Sequence, residues 1–208
     1  MKEQICAIFA GGPEAGEPCM PVPAGAYILC ADSGLHLAER LSLTPDLVLG
    51  DFDSLGSVPE NLPHITVPVE KDDTDTMLAA RTALEKDFRD IRIYGAFGGR
   101  LDHTIANLQT LEFLRDAGAD AMLIGTGNLA FLMRSGETRR IPRREGWTLS
   151  LFAWSQECTG VSAAGVFYPL ENGTLTRSFP LGVSNHVTAE EAVVTCGSGT
   201  LLVICSRL

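Results

Sequence analysis

Apolar and polar positions alternate in two different rhythms along this chain. Over the first 126 residues, short β-rich runs, "QICAIF", "AYILC", "DLVL", "HITV", "IRIY" and "AMLI", read as strands. Between them the apolar positions fall three or four apart. "GLHLAERLSL" predicts one helix; residues 75–88, with Met77, Ala80, Leu84 and Phe88 on one face, predict a second; residues 103–117, with Ile105, Leu108, Leu111 and Leu114, predict a third. Strands alternating with helices imply crossover units and a mostly parallel sheet covered by helices. Past Thr126 the helical period disappears. Glycine-bounded, β-branched or alternating runs replace it: "NLAFLMR", "WTLSLFAW", "AGVFYPL", "EAVVTC" and "TLLVIC". These predict a β sandwich or small barrel. The break "GTGN" falls near the start of residues 125–135, so we divide the chain into domains 1–126 and 127–208.

Composition narrows the classes. The 208 residues, 45% of them apolar, suffice for a substantial core. With 16 Lys plus Arg against 26 Asp plus Glu, the formal charge of −10 lacks the basic footprint of a nucleic-acid binder. Phosphates remain possible ligands if a divalent cation mediates. The apolar stretch in "MKEQICAIFAGG" is too short for a signal-peptide core, and no segment approaches the roughly 18 apolar residues of a membrane span. The expected location is cytoplasmic, with no membrane partner. The six cysteines form no C-x-x-C pair and mostly sit in apolar runs, which predicts reduced core thiols.

The acids of the first half fall at repeated places. Asp32 follows "AYILCA"; Asp51 and Asp53 follow "DLVLG"; Asp72, Asp73 and Asp75 follow "HITVPVEK"; Asp102 follows "IRIYGAFGGRL". Each cluster sits after a predicted strand and before a predicted helix. In a parallel sheet that is the carboxyl edge, where open α/β folds bind ligands. Carboxylates gathered there repel one another and need a shared counter-ion. Mg²⁺ suits them, since it takes oxygen ligands and completes its shell with water and phosphates, whereas zinc would want His/Cys spacing that is absent. Single acids have a plainer reading as helix caps: Asp73 or Thr74 suits the helix that follows, and Asp32 suits its turn. "GAFGGRLDH" adds a glycine-rich turn able to cradle phosphate, with Arg100 as a partner for its oxygens. Lys71 in "EKDDTD" is a second basic group among acids, suited to a phosphate or a local ion pair, and His103 to a contact or a first-turn hydrogen bond.

Taken together, "ADSG", "GDFDSL", "EKDDTD", "GGRLDH" with "ANL", "YPLEN" and "GVSN" resemble the bacterial type of thiamine pyrophosphokinase, across nearly the whole chain and in the same order. The resemblance implies a Rossmann-like ATP-binding domain, a C-terminal β sandwich for thiamine binding and dimerisation, and a homodimer with active sites at the subunit interface. It implies that the thiamine hydroxyl attacks the β-phosphorus of Mg·ATP, giving thiamine diphosphate and AMP. The family's metal and catalytic acids map onto Asp51, Asp53, Asp75 and Asp102. Asp32, Lys71, Asp73, Thr74, Gly98, Gly99, Arg100 and His103 are the expected ATP contacts, and Tyr168, Ser184 and Asn185 the expected thiamine contacts. Two positions depart from the pattern. Ser33 stands where "ADGG" has its first glycine after the acid, and Tyr168 stands where some relatives carry tryptophan. The rival readings are a pyrophosphokinase for a pterin alcohol, a nucleotide or thiamine sensor without turnover, and a phosphatase; AMP formation from thiamine and Mg·ATP separates them.

Overall fold

The computed structural model describes residues 4–13, 16–52, 62–68 and 72–208. The chain divides into two compact units, residues 1–126 and 127–208.

The first unit runs β1 (Ile5–Phe9), β2 (Tyr27–Ala31), α1 (Gly34–Arg40), β3 (Leu47–Gly50), β4 (His64–Thr66), α2 (Asp75–Glu85), β5 (Asp90–Tyr94), α3 (Leu101–Asp116) and β6 (Asp120–Ile124). Its strands lie in the order β6-β5-β1-β2-β3-β4, and each registered pair is parallel. All six expected strands are present. β1 is central and its Cys6 to Phe9 are fully buried, which is why it reads as an unbroken apolar run rather than an alternating one.

Two helices bury only part of the face that the apolar spacing predicts: Ala80, Phe88, Leu111 and Leu114 are buried as expected, and small or polar residues take the other places. On α2 the buried residues are Thr76, Ala79, Ala80 and Ala83, so a stripe of small side chains lets the backbone lie close to its neighbours while Met77 and Leu84 are only half-buried. Phe88 is buried too, but beyond the helix end at Glu85. On α3 the buried face is Asn107, Thr110, Leu111 and Leu114, and Ile105 is 48% exposed. Its first turns are turned toward polar surroundings at the strand ends.

The second unit contains β7 (Asn128–Met133), β8 (Glu137–Pro142), β9 (Trp147–Ala153), β10 (Glu157–Ala164), β11 (Leu170–Thr176), β12 (Gly182–Asn185), β13 (Glu191–Cys196) and β14 (Leu201–Arg207). They form antiparallel sheets ordered β12-β9-β14-β7 and β11-β10-β13-β8. Alternation along β13 buries Ala192, Val194 and Cys196, the pattern of a half-covered strand. "AGVFYPL", expected as one strand, instead spans the end of β10, an isolated bridge from Val166 to Val187, and the start of β11. Gly165 causes the break: its φ is +73°, and a Cβ there would lie 2.4 Å from the Glu191 carbonyl oxygen.

The fold is therefore α/β with a mostly parallel sheet, followed by an antiparallel β sandwich. None of the six cysteines is in a disulfide, and burial pushes Cys6 and Cys30 up to about 12, so both are inert core groups. Among the described residues no helix is long and apolar enough to cross a membrane.

One close approach holds α1 against β1. Gly34 opens α1, and a Cβ on it would lie 1.9 Å from the Phe9 carbonyl oxygen. Although alanine normally favours a helix over glycine by about 1 kcal/mol, Gly34→Ala is expected to lower stability by about 1–3 kcal/mol in urea unfolding. An unchanged or raised midpoint would contradict this packing.

Candidate active site

Because the strands of the first unit are parallel, the loops after β1, β2, β3 and β5 and the start of α2 share one edge. There they enclose a cleft of about 580 Å³ lined by residues of all five segments. β1 neighbours β2 on one side and β5 on the other, so the chain order reverses across the β1–β5 boundary. Crevices at such reversals are the usual ligand sites of open α/β sheets. Two glycine turns tie this boundary together. The Gly12 N–H donates to the Gly95 carbonyl at 3.0 Å, and a Cβ on Gly12 would stand 2.2 Å from that oxygen.

The carboxylates reach this edge in different states. Asp51 follows β3 and lines the cleft; the next residue, Phe52, has φ +61° and sets its ring edge-on to His64, so the chain turns sharply just after the acid. A bulky residue in that conformation is uncommon and marks a constrained turn. Asp75 opens α2 and also lines the cleft, where the N-terminal partial positive charge of an 11-residue helix favours an anion. Asp32 lines it too and is 7% exposed. Asp53 and Lys71 lie outside the described residues.

Asp102 does not line the cleft. It is held by Arg100, whose Nε and Nη2 donate to Oδ1 and Oδ2 at 3.1 and 2.6 Å, while the His103 N–H donates to Oδ1 at 2.9 Å. The Arg100 hydrogen bond is the main reason the Asp102 carboxyl lies below the usual carboxylate range. Both side chains are well exposed, so the pair is held weakly and each partner can be recruited by a stronger ligand. Arg100 and His103 themselves line the cleft, as do Gly98 and Gly99, which turn the chain at φ +86° and +64°.

At the start of α2 the capping alternative is resolved. Thr74 is the N-cap, its Oγ1 accepting from the Met77 N–H at 3.1 Å, and it also lines the cleft. Asp73 instead pairs with Arg81 at 2.8 Å and borders a separate open groove with Asp72. Asn107 was not singled out by its residue type or spacing, although the string "ANL" contained it. It is buried on α3, lines the cleft, and donates from Nδ2 to the Ala96 carbonyl at 2.8 Å, fixing the β5 loop to the helix.

In the second unit Tyr168 and Asn185 are brought together. Asn185 Oδ1 accepts from the backbone N–H groups of Tyr168 and His186 at 3.0 and 2.9 Å, and its Nδ2 donates to the Tyr168 carbonyl at 2.8 Å. The amide thus clamps the backbone that carries the tyrosine. The ring of Tyr168, 66% exposed, stands edge-on to Phe167, which stacks on His186. Ser184 has φ +60°, and its N–H donates to Ser150 Oγ at 3.1 Å.

Of the acids expected to hold a cation, Asp51 and Asp75 line the cleft. Among the described residues no three His, Cys, Asp or Glu side chains are grouped closely enough to hold an ion by themselves. This donor set fits Mg²⁺, which needs only one or two carboxylates when substrate phosphates and water supply the rest.

A family model for the thiamin pyrophosphokinase catalytic domain matches residues 23–123, and one for the thiamin pyrophosphokinase vitamin B1 binding domain matches residues 138–201. Thiamine pyrophosphokinase of Bacillus subtilis is 28% identical over 205 residues, covering 95% of this chain and 96% of its own. The crystal structure of thiamine pyrophosphokinase from Bacillus subtilis is similar with a TM-score of 0.88 and 26% identity, covering 99% of this chain and 100% of that one. A thiamin pyrophosphokinase family protein from Enterococcus faecalis is similar with a TM-score of 0.83 and 27% identity, at 99% coverage of both chains.

The depressed Asp102 carboxyl gives a direct check. Carbon-detected NMR titration of the ligand-free protein is expected to show Asp102 ionising below the ordinary aspartate range, and Arg100→Gln to return it there. The sign is that of an acid stabilised in its charged form: the interaction is present above the ordinary carboxyl pKa and is lost as pH falls through the lowered value. An Asp102 that titrates normally in the wild type would mean the pair does not persist in solution.

Proposed function

Since this chain belongs to the thiamine pyrophosphokinase family, we propose that it transfers the pyrophosphoryl group of Mg-bound ATP to the hydroxyl of thiamine, giving thiamine diphosphate and AMP. The observation that carries this reading is the cleft itself. One cavity gathers Asp51, Asp75, Arg100 and two glycine turns at the reversal point of a parallel sheet, in a chain whose two halves match the two family models.

Pyrophosphoryl transfer asks the protein for positioning and charge neutralisation more than for covalent chemistry. The thiamine oxygen forms a bond to the β-phosphorus, the bond from that phosphorus to the oxygen bridging to the α-phosphate breaks, and AMP departs with that electron pair. The hydroxyl proton goes to water or to one of the aspartates. Mg²⁺, when bound, offsets charge on the phosphate oxygens. Asp51, Asp53, Asp75 and Asp102 are the residues that would hold it, directly or through water. Gly98 and Gly99 leave backbone N–H groups free of side-chain cover at the phosphates, and Arg100 gives up its pairing with Asp102 to take phosphate oxygens, with Lys71 as the second cation. Thr74 and His103 border the same space, while Asp73 acts through its pair with Arg81 on the start of α2.

Thiamine recognition falls to the second unit in this reading. The exposed Tyr168 ring offers a face for a heteroaromatic cation, Asn185 holds its backbone in place, and Ser184 presents a hydroxyl from an irregular stretch of β12. Exposed Phe167, Phe179, Leu181 and Val183 on the same unit support a homodimer, with the active sites at the subunit interface. A cytoplasmic location, where Mg·ATP is plentiful, suits the reaction.

Incubation with thiamine and Mg·ATP is expected to yield AMP and thiamine diphosphate in equal amounts, and to stop when the metal is chelated. Asp51→Asn and Asp75→Asn are each expected to lower kcat about 10²–10³-fold with an unchanged circular-dichroism spectrum. Near-normal turnover in both variants would defeat the assignment of the acids; failure of the wild type to form AMP would defeat the reaction.

A further inference from the structure

One buried acid at the cleft keeps a side-chain oxygen that has no partner among the described residues. Asp32 is 7% exposed, its Oδ1 is sealed from solvent, and among the described residues that atom has no hydrogen-bond partner. Asp90 and Arg115, the other described residues with a sealed and unsatisfied polar atom, each hold an ion pair, with Arg92 and Asp120 respectively. A carboxylate kept this far from water is costly unless a donor reaches it. The backbone nevertheless holds Asp32 there firmly. It sits at φ +45°; its N–H donates to the Leu49 carbonyl at 2.7 Å, and its own carbonyl accepts from Leu35 at 3.1 Å. The adjoining strand makes room for it: a Cβ on Gly50 would lie 3.0 Å from the Asp32 Cβ. A strained, buried acid at a ligand cleft that three neighbouring backbone features keep in place is suited to a donor from the ligand.

Its position in the sheet says which donor. The Gly11–Gly12 turn follows β1, and Asp32 follows β2, twenty positions after Gly12. In mononucleotide-binding halves of parallel sheets, phosphate lies against the glycine turn after the first strand, and an acid at the end of the second strand, about 20 residues on, meets the ribose. The chemistry agrees with the placement. A triphosphate offers only acceptors and is repelled by a carboxylate; the nearest donors to it on the nucleotide are the sugar hydroxyls. Ser33 adds a hydroxyl on the same wall, packed so closely on the β1 turn that a Cβ at Gly11 would collide with its Oγ.

Resting on the reading that this cleft takes ATP, we propose that Asp32 is a specificity-determining residue that accepts hydrogen bonds from the ribose hydroxyls of the nucleotide. Asp32 then selects ribonucleotides by the same burial that leaves its Oδ1 unsatisfied without ligand, because a deoxy sugar withdraws one of the donors that the buried carboxylate needs. The effect belongs to nucleotide affinity and not to the transferred group.

Titration calorimetry with ATP, 2′-deoxyATP and 3′-deoxyATP, in the presence of Mg²⁺, tests this on the wild type, Asp32→Gly and Asp32→Asn. Glycine and asparagine both tolerate the left-handed backbone, and thermal unfolding reports whether each variant is folded. The wild type is expected to bind ATP at least about tenfold more tightly than one or both deoxynucleotides. In Asp32→Gly that preference is expected to shrink to about twofold or less, with Asp32→Asn between the two, and kcat/KM ratios are expected to follow. Equal wild-type affinity for all three nucleotides overturns the proposal, as does a preference that survives in Asp32→Gly. So does a loss in Asp32→Gly that raises the Mg²⁺ requirement while leaving ribose discrimination intact. Binding is read without turnover, so a wild type that discriminates between the sugars but forms no AMP would refute the reaction and leave the role of Asp32 standing.

Discussion

Parallel pairing is the constraint on which the rest of this protein depends. Six strands that all run the same way deliver their carboxyl ends to one edge, and the chain must turn into a helix or a crossover there each time. That geometry, and no property of any single loop, is what brings Asp32, Asp51, Asp75 and the glycine turns of residues 11–12 and 98–99 to one cleft. The reversal between β1 and β5 leaves a gap in the helical cover. Gly12 closes its floor by approaching the Gly95 carbonyl more nearly than any side chain would allow.

Charge at this edge is managed by provisional pairing. The chain carries a formal charge of −10, and the edge concentrates acids further. Asp73 is neutralised by Arg81, Asp102 by Arg100, and Asp75 rests at a helix N-terminus. The Arg100–Asp102 pair is exposed and held by residues two positions apart, so little is lost when a phosphate takes the arginine. The first acid of the edge, Asp32, is treated in the opposite way, buried with its Oδ1 unpaired among the described residues. The site thus contains both exchangeable and unsatisfied charge, which is the electrostatic profile of a cleft completed by its ligands.

Much of the first unit was legible because β1, β2 and β3 are apolar and buried on both faces and its helices are separated by glycine and proline; all six expected strand runs are strands in the structure. The buried faces of the helices were less legible. Spacing found Leu111 and Leu114 on α3, but α2 packs through Ala79, Ala80 and Ala83, and α3 adds Asn107 and Thr110, because close packing and the cleft override hydrophobic size there. In the second unit β8, β11 and β12 had no apolar signature: "ETRRIP" is an edge strand dressed in charge, and "LENGTLT" and "GVSN" bury only Leu175 between them. At the site, the acids that follow strands were visible in the sequence. The Asp73–Arg81 pair, the clamp of Asn185 on Tyr168, and the place of Asn107 were not, since each depends on a contact between residues whose separation along the chain carries no pattern.

The claim underlying this account is that the β1, β2 and β5 loops bind one nucleotide together. The most direct measurement is the backbone amide NMR spectrum as Mg²⁺ and a non-hydrolysable ATP analogue are added to the full chain. The account predicts that the largest shifts fall together on Gly11, Gly12, Ser33, Gly98 and Gly99, with one binding constant. Shifts confined to residues 127–208, or absent from these five amides at saturation, would contradict it.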